Sequence, residues 1–329
     1  MHRIPDHYSL MYSGVQAVMS NLSQINLFPD GLLPVAVILN PALVPSDIDI
    51  VEADIANNLT SRGCAVRFFR TVTTCPVSDF AYEAVRSGAK LVIAAGGDGT
   101  IMEVVNALVG TGIPVGIIPL GTGNLLATNL GLPYTIDEAL DVAVTGVDRP
   151  IDLVKINNGD HYFAIMGGIG FDAKIMEDTD RPTKQRIGRL AYVWTALKNL
   201  QGQLFEAEIA IDNTSAISVQ AKSLLIANMG KLDANINAFP EAVPDNGLMQ
   251  LGILTASNVT DFARLFANAL VVGAPQEDPS FAVYNCKKLE IQLKSPQPFE
   301  YDGETAGEIS HLIAEVVPHA ICIRSPRNG

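Results

Sequence analysis

From Pro34 to about residue 145 the chain alternates two hydrophobic patterns. Short continuous apolar runs at residues 35–39, 64–69, 89–95 and 113–119 read as strands buried on both faces. Between them, apolar residues recur every three or four positions, the helical period. Asp47 is placed to cap a helix carrying Ile48, Val51, Ile55 and Leu59, which Gly63 ends. Ser78 opens a helix through Ala81 and Val85 that stops at Gly88. Residues 100–109 read as a helix with Met102, Val105 and Val109 on one side. Another helix starts at Asn124 and stops at Gly131 and Pro133, and Thr135 caps a last one to about residue 144. This β-α-β-α-β-α-β-α order predicts a parallel sheet with right-handed crossovers.

Near residues 146–150 the period changes. Residues 151–156, 162–166, 205–211, 216–227, 249–254, 289–293 and 320–323 mostly alternate apolar and polar positions, as in an antiparallel β-sandwich or barrel. Two helical stretches, 186–200 and 259–272, interrupt them. Residues 1–33 are weakly patterned, with at most a short helix at 10–22. The expected division is an N-terminal extension (1–33), an α/β domain (34–148) and a β-rich domain (149–305).

Composition narrows the function classes. With 48% hydrophobic and 17% charged residues in 329, the chain is globular and long enough for two domains. No apolar run approaches the roughly 20 residues that cross a bilayer. The N-terminus lacks a basic segment followed by a long apolar one, so the expected compartment is the cytoplasm. The scattered Cys64, Cys75, Cys286 and Cys322 read as core thiols. A net charge of −13, with no Lys/Arg run longer than Lys287-Lys288, argues against nucleic acid. It also argues against a general attraction to anionic membranes, although Arg181, Lys184, Arg186 and Arg189 cluster locally. The five histidines show no metal-ligand spacing and read as surface or loop residues. The helix with Tyr192, Trp194 and Leu197 reads as core-facing, with membrane docking as the other use of such a face.

Two glycine turns carry the candidate chemistry. Gly96-Gly97-Asp98-Gly99-Thr100 follows the third strand, and Gly121-Thr122-Gly123-Asn124 follows the fourth. Both lie at carboxyl ends of parallel strands, where open sheets bind ligands. Glycines admit a phosphate close to the backbone, and the following helix offers free N–H groups. Asp98 would repel a bare phosphate, so it fits a Mg²⁺-bound one or a proton-accepting role; as plain structure it is a turn former. There is no Gly-Lys-[Ser/Thr], no GxGxxG and no kinase HRD or DFG signature.

The run GGDGTIMEVVNAL, with Glu103 and Asn106, followed by Pro119-Leu120-Gly121-Thr122-Gly123-Asn124 and Leu130-Gly131-Leu132-Pro133, resembles the diacylglycerol kinase catalytic-domain family. That family includes bacterial lipid kinases and sphingosine and ceramide kinases. GGDGT alone is shared with the NAD kinase and 6-phosphofructokinase superfamily. Asn40-Pro41, Asp152, Gly168-Ile169-Gly170-Phe171-Asp172, Pro244-Asp245-Asn246-Gly247 and Asp302-Gly303-Glu304 extend the resemblance to the C-terminus. It implies an α/β nucleotide-binding domain plus a C-terminal antiparallel β-sandwich, a cleft site between them, and a final segment (about 306–329) that returns to the first domain. It implies ATP as phosphate donor with Mg²⁺, and a lipid hydroxyl met at a membrane surface as acceptor. Diacylglycerol, converted to phosphatidic acid, is the simplest choice, in an enzyme compatible with a homodimer. By the same resemblance Asn40, Pro41, Thr71 (with Thr73 and Thr74 as alternatives to it), Gly96, Gly97, Asp98, Gly99, Thr100, Glu103, Gly121, Thr122 and Asn124 contact the nucleotide. Glu304 is the general base, with Asp98 as its competitor for that role.

The chain departs from the family in places. Ala42-Leu43-Val44-Pro45 replaces a small glycine-containing turn. The family's structural metal site falls on Asn246 with Asp245, Val243 and Leu248, and asparagine brings an acceptor without charge. The segment Met229-Gly230-Lys231-Leu232-Asp233 is atypical where substrate is contacted. Two alternatives stand beside the lipid kinase: a soluble-substrate kinase of the NAD-kinase type, and a catalytically decayed nucleotide-binding regulator.

Overall fold

A computed structural model describes residues 27–44, 47–157, 159, 161–170, 204–233, 236–255, 277–278 and 280–327. The helices expected at 10–22, 186–200 and 259–272 lie outside these residues. So do the 181–189 basic cluster, Trp194 with its neighbours, and Phe171-Asp172.

The first half is the predicted α/β unit. Strands β1 (Leu33–Leu39), β2 (Cys64–Arg70), β3 (Leu91–Gly96) and β4 (Val115–Pro119) pair in parallel in the order β2-β1-β3-β4. Helices α1 (Ile48–Ser61), α2 (Val77–Arg86), α3 (Asp98–Leu108), α4 (Leu125–Leu130) and α5 (Ile136–Thr145) complete it. The continuous apolar runs are explained by burial on both faces. Ala36, Ile38, Val92 and Ala94 pack in one core layer with Ala81, Val85, Ile101 and Val105, while Val35, Val37, Leu91 and Ile93 face Val51, Ile55, Leu59 and Leu140 in another. Capping follows the sequence at two ends: Asp47 accepts from Asp49 N (2.9 Å), and Thr135 accepts from Glu138 N (3.4 Å). Helix α3 begins two residues earlier than its apolar period suggests, because Asp98 and Gly99 already lie in its first turn.

The second half is antiparallel and sandwich-like. Strands β5 (Val147–Ile156), β6 (His161–Phe163), β7 (Met166–Ile169), β8 (Phe205–Ile211), β9 (Ile217–Ala221), β10 (Ser223–Ala227), β11 (Lys231–Asp233), β12 (Ile236–Asn237), β13 (Met249–Leu254), β14 (Glu277–Asp278), β15 (Phe281–Cys286), β16 (Lys288–Tyr301) and β17 (Glu304–Ser325) form it. Its core joins Phe163, Phe205, Ile226, Leu251, Ile291 and Phe299.

Three of the alternating runs resolve differently. The stretch 162–166 is two strands parted at Ala164-Ile165, and 216–227 is two strands parted at Lys222, since β9 pairs with β8 while β10 pairs with β7 and β13. The short run at 320–323 is the end of β17, 22 residues long. This strand pairs first with β16, then with β5, and at Ile323 meets Val115 of β4 in parallel. One strand therefore begins beside the β-rich core and ends on the parallel sheet.

Candidate active site

The sheet order reverses between β1 and β3, and their carboxyl ends form the crevice where such sheets take ligands. Asn40 follows β1 and reaches across this crevice: its Nδ2 donates to Thr100 Oγ1 (3.2 Å) and its Oδ1 accepts from Ala42 N (3.1 Å). Pro41 opens a single 3-10 turn, Pro41–Leu43. Leu43, from the atypical loop, stands 3.3 Å from where a Cβ on Gly97 would be and walls the turn with a half-exposed apolar side chain. Thr71 is buried, and its N–H donates to Leu39 O (2.9 Å), continuing the β1–β2 ladder. Thr100 is buried as well, under Gly96.

The two glycine turns touch. A Cβ on Gly121 would lie 2.7 Å from Gly97 Cα, so the second turn does not tolerate a side chain at that contact. A Cβ on Gly123 would overlap Asp98 Oδ2. The Asp98 carboxylate thus lies flat against the second turn, where its Oδ1 accepts from Leu125 N (2.7 Å) and caps α4. Asn124 sits in the left-handed region (φ 48°) and donates from Nδ2 to Gly121 O (2.8 Å). Its Oδ1 is buried without a partner among the described residues. Thr122 belongs to the same turn.

Glu304 arrives from the other domain. As the first residue of β17 it places Oε1 3.5 Å from where a Cβ on Gly99 would be. Burial raises its pKa first and the Glu103 charge second, while His161 pulls it back down. The site thus gathers Asp98, Glu103, Asp302 and Glu304, and neither glycine turn contains a Lys or Arg. Such a concentration of carboxylates fits a ligand that carries its own cation.

Glu103 also has a structural task. Helix α2 begins after Pro76 with no side-chain cap of its own, and Glu103 Oε2 supplies one by accepting from Val77 N (3.0 Å). Asn106, three residues on, binds the backbone of Tyr162. Two further residues went unread in the sequence. His161 is exposed, as expected of a surface residue, and it also acts electrostatically on Glu304. Asp302, in the sequence only the first residue of a triplet, accepts from three successive N–H groups, Ala164 (2.7 Å), Ile165 (2.9 Å) and Met166 (3.0 Å). The positive φ that its Asp-Gly turn requires was the available signal.

The side chains expected at the structural metal site are engaged within the protein. Asp245 is paired with Arg149 (Oδ2 to Nη2 2.8 Å, to Nε 3.1 Å). Asn246 spends Oδ1 on Leu248 N (3.0 Å) and Nδ2 on Glu241 O (3.0 Å). Buried Asp152 holds the same loop through Gly247 N (2.6 Å) and also accepts from His319 N (2.9 Å). Val243 is half-exposed, and the loop is tied by the Arg149 guanidinium, the Asn246 amide and the Asp152 carboxylate. Among the described residues no three His, Cys, Asp or Glu side chains converge as metal ligands. No described helix is long and apolar enough to cross a membrane.

Comparison with known proteins matches both halves. Residues 34–156 match the diacylglycerol kinase catalytic domain, and residues 166–325 match the YegS C-terminal NAD kinase beta sandwich-like domain. A Pectobacterium atrosepticum protein named "probable lipid kinase YegS-like" is 33% identical over 250 residues, covering 74% of this chain and 81% of that one. An uncharacterized Synechocystis protein is 31% identical over 253 residues, 73% of this chain but only 55% of its own length. The crystal structure of a candidate diacylglycerol kinase from Bacillus anthracis superposes with a TM-score of 0.76 at 21% identity, covering 90% of this chain and 98% of that one. At that identity the likeness speaks to the fold.

Proposed function

The chain belongs to the diacylglycerol kinase catalytic-domain family of lipid kinases, and from that premise we propose that it transfers the γ-phosphoryl group of ATP to a lipid hydroxyl, diacylglycerol being the acceptor to try first. The observation that carries this reading is the approach of Glu304, from the β-rich domain, to Gly99 in the first glycine turn. Phosphoryl transfer needs positioned phosphates, compensated charge and a carboxylate near the attacking hydroxyl. The paired turns bring the glycine backbone of Gly97 and Gly121 together where phosphates could approach it. Magnesium, arriving on the nucleotide, would offset the charge shared by phosphates and carboxylates. Glu304 accepts no hydrogen bond from the described residues, and its raised pKa makes it a better proton acceptor once ionised. Asp98 is already committed to Leu125 N, which favours Glu304 of the two as the base. The lipid would be met at a membrane surface.

The test is transfer of label from γ-labelled ATP to a panel of lipids in mixed vesicles, with NAD as a soluble acceptor in parallel. A phosphorylated lipid is the expected product. Labelled NADP and no labelled lipid would overturn the assignment in favour of a soluble acceptor; nucleotide binding without any turnover would favour a decayed regulator.

A further inference from the structure

We propose that Asp302 and Asn106 are positioning residues that hold Glu304 over the glycine turn, through a circuit of hydrogen bonds that begins and ends on α3. The inference rests on Glu304 serving as the base in the proposed reaction.

Helix α3 starts at Asp98 and Gly99, directly beneath Glu304. Near its other end Asn106 grips the Tyr162 backbone as a strand partner would: Oδ1 accepts from Tyr162 N (2.8 Å) and Nδ2 donates to Tyr162 O (3.0 Å). Two residues further on, the chain crosses from β6 to β7 through residues 164–166. All three N–H groups of this crossing donate to the Asp302 carboxylate. Its carbonyls are held too. Ala164 O accepts from Asn228 Nδ2 (2.8 Å), Ile165 O accepts from Asn228 N (2.9 Å) and Met229 N (3.1 Å), and Met166 O accepts from Asp302 N (2.9 Å). Every backbone polar group of the crossing is therefore bound.

Asp302 and Gly303 then make a two-residue turn with φ 47° and 86°, which pairs Tyr301 with Glu304. The clamp consequently sits two residues before Glu304, and the circuit closes where Glu304 Oε1 stands over Gly99. Holding a carboxylate here is unfavourable. Burial pushes the Asp302 carboxyl up to about 6 against its three backbone donors, and the Asp98 charge adds to the rise. An asparagine would serve an ordinary turn of this type at no such cost. What the carboxylate adds is the capacity to accept all three N–H groups at once.

The experiment uses the full chain with Asn106→Leu and Asp302→Asn, the latter keeping the size of the side chain. With γ-labelled ATP and diacylglycerol vesicles, each variant should lose about 10–100-fold in kcat, the effect of a small displacement of a reacting group. Nucleotide Kd by calorimetry should stay unchanged. Combining Asp302→Asn with Glu304→Gln should be no slower than Glu304→Gln alone, because the clamp acts only through that carboxylate. Equal loss of Kd and kcat, or a double variant slower than Glu304→Gln, would overturn the proposal. A second readout is independent of lipid chemistry: amide hydrogen exchange at residues 302–305 should speed up in Asn106→Leu. Unchanged exchange there in a folded variant also overturns the circuit. Transmitted exchange with no lipid phosphorylated by the unaltered chain would instead overturn the lipid-kinase reading and leave the circuit standing. Should Asn106→Leu fail to fold, Asp302→Asn is read the same way, by exchange at residues 164–166.

Discussion

The glycine turns and the 243–248 loop both carry residues suited to charged ligands, and the structure treats them oppositely. In the loop each polar side chain is already spent inside the protein: Asp245 on Arg149, Asn246 on Leu248 N and Glu241 O, Asp152 on Gly247 N. At the turns, Gly121 lies too close to the Gly97 backbone to carry a side chain, the Asn124 Oδ1 is left without a described partner, and Glu304 stands over them. A residue type with affinity for a ligand is therefore a poor guide alone. What separates a site from a structural loop is whether its polar groups retain unspent capacity.

Four measurements would break or sharpen this contrast. Glu304→Gln should give the largest effect, a loss of about 10²–10⁴ in kcat with nucleotide binding retained, since it would remove the proposed general base and no fold contact. Full activity in that variant would remove Glu304 from the chemistry. Gly121→Ala comes next: a Cβ 2.7 Å from Gly97 Cα must part the turns, costing about 1–3 kcal/mol in unfolding free energy and most of the nucleotide affinity by calorimetry.

A smaller effect is expected on the pH–rate profile. The acid limb should be displaced upward from where an ordinary glutamate would put it, because the Glu304 pKa is raised. Glu103→Gln removes a like charge and should move that limb to lower pH, while His161→Gln removes an opposing one and should move it higher. Shifts of the opposite sign would place the base elsewhere. The smallest effect belongs to the loop. EDTA should leave the melting temperature of the nucleotide-free protein unchanged, and Arg149→Met should lower it by no more than about 2–4 °C, as for a partly exposed ion pair. A marked loss of stability in EDTA would show a cation holding the fold.

Much of this protein was determined by local sequence. The parallel strands and their helices follow from continuous apolar runs, helical periodicity and caps such as Asp47 and Thr135, because these signals act within one or two turns of chain. The glycine turns were legible for the same reason, whereas Glu304, far along the chain, was assigned to them only through the family resemblance. Tertiary structure alone decided how far β17 runs, since an apolar–polar alternation does not say which strand will pair with it. It also decided the partners of polar residues. Asp98 caps a helix 27 positions away, Glu103 caps α2, Asp302 gathers three N–H groups from residues 164–166, and Arg149 neutralises Asp245 across 96 positions. Carboxylates and amides bond whatever donor the fold brings within 3 Å, and that identity is written in no stretch of sequence shorter than the domain itself.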